Sequence, residues 1–199
     1  MFRIENLVYQ EILDINELRI KPGMTALLGP SGCGKSTLLR LLNKLVSPDA
    51  GHIFYKGVDI AEVPSVEHRR RVMMLSQSPV LFPGNIRDNL EVGFRLQKAE
   101  SPGDARLREI LAQVRLDKDL DGPSELLSGG ERQRLVLARV CLLNPEVYLL
   151  DEPSAALDEH AEDELVAMVK THIRSEGKSA VMVTHSRRVA ERYADDLLV

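Results

Sequence analysis

Aromatic residues are scarce in this chain: tryptophan is absent, and aromatic residues make up 4% of the 199 residues. Proteins that bind single-stranded nucleic acid usually stack bases on aromatic side chains, so this composition argues against such a surface. The formal net charge of −4 points the same way, because general nucleic-acid binders are usually basic. We therefore expect no nucleic-acid partner.

Cysteines and long apolar runs are also lacking. Cys33 and Cys141 are too few for a disulfide scaffold and are typical of a reducing compartment. No apolar run approaches the roughly 20 residues that cross a bilayer. Met1–Glu5 alternates like a strand rather than resembling a signal peptide. We expect a cytoplasmic protein, for which any role at a membrane is peripheral and depends on a separate membrane-spanning chain.

The composition that is present, 44% hydrophobic and 28% charged, is that of one large soluble domain. Alternating or short apolar segments predict strands at residues 2–8, 12–20, 24–28, 51–55, 72–75, 147–150 and 180–184. Helical spacing predicts helices at residues 35–45, 104–114, 131–143 and 159–175. In the first of these helices one apolar face contains Leu38, Leu39, Leu41, Leu42 and Leu45. The pattern predicts a parallel α/β core, interrupted over residues 78–126 by a mostly helical insert.

A glycine-rich loop follows the apolar strand at 24–28 and opens the first helix. It reads Gly29, Pro30, Ser31, Gly32, Cys33, Gly34, Lys35 and Ser36, followed by Thr37. This fits the phosphate-loop pattern G-x-x-x-x-G-K-[ST] in the strand–loop–helix context that the pattern requires. Backbone N–H groups and the helix N-terminus would bind ATP phosphates, Lys35 would reach the β- and γ-phosphates, and Ser36 would bind Mg²⁺.

Two acids end the apolar strand at 147–150. Asp151 is predicted to hold Mg²⁺, directly or through water, and Glu152 to act as the general base that polarises an attacking water. His185 follows the strand at 180–184, at the edge where open α/β sheets bind ligands, and would orient Glu152 and the water. Gln77 follows the strand at 72–75, and its amide could contact Mg²⁺ and sense the γ-phosphate.

A second glycine-rich turn, Leu127–Glu131, opens the helix predicted at 131–143. Together with the phosphate loop it indicates that ATP is held from two sides and that a second molecule supplies one of them. Taken with the other motifs, it resembles the signature of the ATP-binding-cassette (ABC) transporter ATPases, with LSGGE in place of the commonest LSGGQ. The order of the motifs matches along nearly the whole chain.

The resemblance implies a P-loop NTPase fold with a mainly parallel core, an N-terminal antiparallel β part and a helical insert. Residues 1–76 and 136–199 would form the core of a single domain, and about 77–135 the insert that carries the signature.

The resemblance also implies further roles. The dimer would be head-to-tail and ATP-dependent, with ATP on one copy meeting Ser128, Gly129 and Gly130 of the other. Asp158, in the segment Ser154–Asp158, would help to join the two sites. Tyr9 would stack on adenine, with packing in the core as the alternative for this residue.

The segment after Gln77 resembles the part of these ATPases that contacts a separate transmembrane permease. Its apolar side chains either line a groove for a permease helix or belong to the core of the insert; they are Val80, Leu81, Phe82 and Ile86. The chain's small size is similar to that of compact bacterial cassettes, in particular those of metal (iron) export. Two other functions are weighed against transport: a non-transport ATP switch of the same superfamily, and a small phosphotransferase that uses only the first loop.

Overall fold

The computed structural model describes residues 1–78, 80–155 and 157–199. The strands are β1 (Phe2–Tyr9), β2 (Leu13–Ile20), β3 (Met24–Leu27), β4 (Ala50–Tyr55), β5 (Val58–Asp59), β6 (Val72–Leu75), β7 (Val147–Asp151), β8 (Ser179–Val183) and β9 (Asp196–Leu198). The α-helices are α1 (Lys35–Leu42), α2 (Ser65–Arg71), α3 (Ile86–Gln97), α4 (Asp104–Gln113), α5 (Gly129–Leu143), α6 (Glu159–Ser175) and α7 (Arg187–Tyr193).

The strands form two sheets. One is an antiparallel sheet with the order β2-β1-β4-β5, and the other has the order β6-β7-β8-β3-β9 with parallel pairing throughout. Every residue of β3, β7 and β8 is buried, as expected for parallel strands covered on both faces. The carboxyl ends of β3, β6, β7 and β8 lie at one edge of this sheet, and four of the predicted motifs follow these ends.

The parallel sheet separates two apolar clusters, because successive side chains of a strand point to opposite faces. Val147 and Leu149 of β7 join the cluster shared with α1 and the antiparallel sheet. Tyr148 and Leu150 join the cluster shared with α3 to α6. The insert helices α3 and α4 both pack on α5, so the signature turn sits on the same packed unit as the insert.

Helix α1 ends at Leu42, three residues before the predicted end. Asn43 caps it and donates a side-chain hydrogen bond to the carbonyl of Val72, and Lys44 adopts a left-handed φ of 56°. The helix cannot continue through that residue, and Leu45 is exposed rather than part of the apolar face, which corrects the prediction.

Helix α3 was not predicted from periodicity, because its buried positions are few: Ile86, Asn89 and Leu90. A local signal for its start was nevertheless present. Asn85 accepts a hydrogen bond from the Asp88 backbone N–H, and the Asp88 carboxylate accepts one from the Asn85 backbone, which together form a capping box.

Helix α5 runs without interruption through the predicted boundary between residues 135 and 136. The division into core and insert therefore falls inside a helix, and the insert is not separated from the core by a linker at this point. Among the helices of the described residues, none combines the length and the apolar character needed to cross a membrane.

Candidate nucleotide-binding site

The phosphate loop connects β3 to α1 and is shaped by its glycines. Gly34 has a φ of 92°, in the left-handed region, and a Cβ built on it would lie 2.6 Å from Leu13 Cδ2. Any side chain here would be strained by the backbone and would clash with β2. The loop thus brings its backbone close to Leu13 of the antiparallel sheet and to Ile12 in the turn before it.

The Lys35 ammonium lies inside this loop. It donates hydrogen bonds to the carbonyls of Gly29 at 2.9 Å and Pro30 at 2.7 Å, and Cys33 Sγ lies 3.6 Å away. Carbonyl oxygens are weaker partners than phosphate oxygens for an ammonium group. The lysine is therefore held where an incoming phosphate could replace these carbonyls as its acceptor.

Ser36 and Asp151 meet across the site. Ser36 Oγ donates to Asp151 Oδ1 at 2.7 Å, and Asp151, at the end of β7, is 4% exposed. A hydroxyl and a carboxylate oxygen are hard donors of the kind Mg²⁺ prefers. Among the described residues, the buried Asp151 carboxylate has one side-chain hydrogen bond, and a cation would stabilise its charge further. This donor pair therefore fits the predicted metal.

Glu152 is held from two sides. Gln77 Nε2 donates to its Oε2 at 2.9 Å, and His185 Nε2 lies 2.9 Å from its Oε1. The Glu152 backbone has a left-handed φ of 49°, and its N–H donates to the Val183 carbonyl at 3.1 Å. The strand edge thus turns sharply after Asp151, and Glu152 points to the mouth of the site.

A cavity of about 300 Å³ brings half of the predicted site residues together. Its lining comprises Ile12, Ser31, Gly32, Gly34, Lys35, Ser36, Thr37, Gln77, Glu152 and His185. Ile12 was not among the predicted site residues; it is an exposed apolar side chain in a strand-connecting turn, which nothing in a lone sequence distinguishes from ordinary surface. Tyr9 is partly buried against the core cluster of the antiparallel sheet and does not line this cavity.

The signature turn lies outside this cavity, at the exposed start of α5. Ser128 is the N-cap: its Oγ accepts from the Glu131 backbone N–H at 3.4 Å, and Glu131 Oε2 accepts from the Ser128 N–H at 2.9 Å. Lys118 Nζ lies 2.9 Å from Glu131 Oε1. These contacts lower the pKa of Glu131 to about 2, and the contact with Lys118 is the largest cause. Ser128 and Gly129 remain open to solvent.

The loop after β7 touches this turn within the same chain. A Cβ on Gly130 would lie 3.0 Å from Leu157 Cδ2. Asp158 is exposed and caps α6 by accepting from the Ala161 N–H at 2.9 Å. Ala156, in the middle of the predicted segment Ser154–Asp158, lies outside the described residues, as does Pro79.

The apolar segment after Gln77 divides between the two predicted alternatives. Val80 is 62% exposed and Phe82 is 39% exposed, whereas Ile86 is buried and Leu81 packs against the core. Ile86 therefore belongs to the core of the insert and cannot line a surface groove. Val80 and Phe82 remain available on the surface.

Buried polar side chains hold this segment in place. Asn89 is fully buried; its Oδ1 accepts from the Phe82 N–H and from Arg139 Nη2, both at 2.8 Å. Arg139 also donates to the carbonyl of Asn89 at 2.7 Å and to that of Val80 at 3.1 Å, and its guanidinium lies 5.1 Å from the Phe82 ring centroid. Burial lowers the pKa of Arg139 to about 10.

The chain is similar in sequence to ATP-binding proteins of ABC transporters. A family model described as ABC transporter matches residues 13–155. The sulfate/thiosulfate import ATP-binding protein CysA of Pseudomonas aeruginosa is 39% identical over 198 residues, covering 96% of this chain and 59% of the relative. The nickel import ATP-binding protein NikO of Rhodobacter capsulatus is 39% identical over 186 residues, covering 88% of this chain and 73% of the relative.

Among solved structures, the chain is similar to the dimeric post-hydrolysis state of the ATP-binding cassette MJ0796 bound to ADP and Pi. The TM-score is 0.87 at 25% identity, and the match covers 100% of this chain and 93% of that one. The predicted cassette fold is therefore confirmed. The chain spans about half the length of several curated relatives that it matches.

Proposed function

Because the chain belongs to the ABC transporter family, we propose that it is the ATP-binding part of a transporter and that it binds and hydrolyses Mg-ATP. One observation is the main support for this proposal. Glu152, held by Gln77 and His185, faces the same 300 Å³ cavity as the phosphate loop. A carboxylate positioned beside a phosphate-binding loop is the arrangement that a hydrolytic reaction needs.

The phosphate loop would bind the triphosphate. Backbone N–H groups of Gly32 to Ser36 and the N-terminus of α1 supply positive potential, and Lys35 would exchange its carbonyl partners for β- and γ-phosphate oxygens. Ser36 and Asp151 would hold Mg²⁺, which when bound neutralises phosphate charge.

Glu152 would then polarise a water aimed at the γ-phosphate, with ADP and phosphate as products. His185 and Gln77 restrict the carboxylate to one orientation, since each binds a different oxygen of it. Gln77 also begins the segment that leads to Val80 and Phe82. Movement of Gln77 on loss of the γ-phosphate would therefore be passed along the backbone to this surface.

The exposed signature turn supports a head-to-tail dimer. Ser128 and Gly129 are open to solvent but absent from the chain's own phosphate cavity, so their natural ligand is ATP on a second copy. The N-terminus of α5 there favours an anion. The similarity to the dimeric MJ0796 cassette supports the same arrangement. Asp158 would lie near the junction of the two sites.

A separate transmembrane permease is the proposed partner of the exposed Val80 and Phe82. The buried Asn89–Arg139 network keeps this apolar pair at the surface in a defined position, as a docking site requires. The protein would then work in the cytoplasm, at the inner face of the cell membrane. CysA and NikO are both named as import proteins, which favours import. The expectation of metal export has no support from these relatives.

Replacing Glu152 with glutamine tests the proposal. Glutamine keeps the shape and can still contact Gln77 and His185, but it cannot accept a proton from water. We expect ATP hydrolysis to fall by about 10²- to 10⁴-fold, the usual contribution of a general base. Equilibrium binding of ATP should be unchanged, and ATP-bound dimers should accumulate on size-exclusion chromatography.

Hydrolysis at the wild-type rate in this variant would remove Glu152 from the role of base. For the dimer, Ser128→Arg is the informative second variant, because it adds bulk and charge at the exposed turn. ATP binding by the monomer should persist while dimers disappear. Equal loss of monomer binding would place the turn in its own chain's site instead.

A further inference from the structure

The stretch that leads into the signature turn is strongly acidic. Residues 116–131 contain five acidic side chains and one basic side chain, Lys118; the acids are Asp117, Asp119, Asp121, Glu125 and Glu131. In the proposed dimer this part of the chain approaches ATP on a second copy, and ATP is itself a polyanion. Charge of this sign opposes the approach.

Of these acids, Glu131 is the one that belongs to the signature turn itself. Its Oε2 accepts from the Ser128 N–H, which places the carboxylate in the first turn of α5. An anion there interacts favourably with the helix dipole. It also weakens the positive potential at the helix N-terminus that would attract a γ-phosphate. A carboxylate without a cationic partner at this point therefore opposes binding of the nucleotide.

Lys118 neutralises this carboxylate. Its Nζ lies 2.9 Å from Glu131 Oε1, the oxygen that Ser128 does not use. The two side chains are 42% and 30% exposed, so the pair sits at the surface beside the turn. The low pKa of Glu131 keeps it ionised at neutral pH, and its charge is therefore balanced by the lysine rather than by a proton.

The neighbouring cation serves a different purpose. Arg132 donates to the carbonyls of Leu127 at 2.8 Å and Glu125 at 2.9 Å. These bonds shape the backbone that enters α5, and they leave the Glu131 carboxylate to Lys118.

We infer that Lys118 is a positioning residue for the ATP-bridged dimer: by pairing with Glu131 it cancels the charge of the carboxylate beside Ser128 and Gly129, the residues that a partner's γ-phosphate approaches. The inference rests on the proposed dimer. The pairing with Lys118 explains how position 131 can hold a glutamate, although a glutamine would also complete the capping box and would carry no charge. Its consequence is that Lys118 matters only while residue 131 is acidic.

The test measures ATP-dependent dimerisation by analytical ultracentrifugation of the full chain in the Glu152→Gln background, with Mg-ATP as the probe. Lys118→Met should weaken dimerisation about five- to tenfold, because each exposed pair contributes modestly and a symmetric dimer contains it twice. The loss should shrink between about 0.05 M and about 0.5 M salt. Lys118→Arg should retain dimerisation.

Adding Glu131→Gln to Lys118→Met should restore dimerisation to the parent level. Lys56→Met is the matched control: it removes a lysine paired with Glu146 at 2.6 Å, beside the opposite end of β7, with the same change in net charge. It should leave the dimer unchanged. Monomer ATP affinity and thermal unfolding, measured for every variant, should not move.

Two results would overturn this inference without affecting the dimer proposal. The first is that Lys118→Met does not change dimerisation. The second is that the loss of dimerisation persists when residue 131 is glutamine, which would mean that Lys118 contacts the nucleotide or the partner directly. A parent protein that binds ATP yet stays monomeric would overturn the dimer proposal, and this inference with it.

Discussion

Glu152 illustrates how a single backbone position can define a site. Its left-handed φ of 49° turns the chain immediately after buried Asp151, so consecutive carboxylates face different surroundings. Asp151 contacts Ser36 inside the site, whereas Glu152 contacts Gln77 and His185 at its mouth. One turn thereby gives two carboxylates different surroundings, which the proposed roles of Asp151 in metal binding and Glu152 in catalysis require.

At the residue scale, His185→Ala should show how much the orientation of Glu152 contributes. We expect the rate of ATP hydrolysis to fall by about 10²-fold, because one of the two side-chain contacts that hold the base is lost. ATP affinity should stay within about twofold, since the phosphate loop is untouched. Steady-state kinetics and equilibrium binding of a fluorescent ATP analogue separate the two effects.

His160→Ala is the control for this measurement, since His160 is an exposed histidine on α6 away from the cavity. It should hydrolyse ATP at the wild-type rate. A His185→Ala enzyme with unchanged turnover would show that Gln77 alone suffices to orient Glu152.

At the scale of elements, α5 connects two surfaces of the molecule. Its N-terminus carries the exposed Ser128, and Arg139 lies ten residues after Gly129, about 15 Å along the axis at the usual rise. Arg139 holds Asn89 and the carbonyl of Val80. We therefore expect a displacement of the signature turn to shift Val80 and Phe82 as well, because both sites are attached to the same helix.

Asn89→Ala tests the strength of this attachment. The change removes the hydrogen bonds of Asn89 to Phe82, Asn85 and Ser124, and it takes away a side-chain acceptor from the half-buried Arg139. We expect the free energy of unfolding to fall by about 3 kcal/mol, since buried polar groups are left unpaired. Urea denaturation followed by circular dichroism measures it.

Asn16→Ala, at an exposed position of β2, provides the comparison and should change stability by less than about 0.5 kcal/mol. Similar small losses for both variants would mean that water or neighbouring groups replace the partners of Asn89, and that the network adds little rigidity.

At the scale of the whole molecule, two buried histidines make stability depend on pH. His68 contacts the Leu42 carbonyl at 2.7 Å, and His172 contacts the Tyr148 hydroxyl at 3.0 Å. Burial is the main cause that lowers the pKa of each below 6.5. For His68 the hydrogen bond to the Leu42 carbonyl opposes this shift, and Lys44, Arg71 and Arg69 add to it. For His172 Glu176 opposes the shift, and Arg106 and Lys178 add to it. At pH 7 both are therefore mainly neutral in the folded protein.

The unfolded chain therefore takes up protons first as the pH falls. The stabilisation is complete above the unfolded pKa of 6.5 and is lost below it. Between pH 7.5 and 5.5 we expect the free energy of unfolding to decrease by up to about 1.4 kcal/mol for each histidine. The carboxylates with lowered pKa, such as Glu146, lose their contribution only at more acidic pH.

Denaturant titrations at the two pH values check this, with His172→Gln and His68→Gln each expected to reduce the decrease. His160→Gln, whose side chain is 85% exposed, should leave it unchanged. A decrease that is the same in all three variants would assign the pH dependence to other groups.

Much of the architecture could be predicted from local patterns. The strand at Val72–Leu75 and the helix over residues 159–175 lie where the sequence predicts them, because a continuous apolar run and helical spacing can both be recognised in a sequence. Helix α3 could not be predicted in the same way, since its inward face includes the polar Asn89, whose burial makes sense only with Arg139 and Ser124 beside it.

The sequence by itself determined the chemistry available to this protein, since a phosphate loop requires glycines and a lysine at set spacings, and buried parallel strands require uninterrupted apolar runs. Only the tertiary structure decided which of these groups meet. Gln77, Glu152 and His185 come from three strand ends, and their contacts depend on strand order. The pairing of Lys118 with Glu131 likewise depends on how the chain before α5 folds back, because long-range contacts arise from packing and leave no periodic trace in sequence.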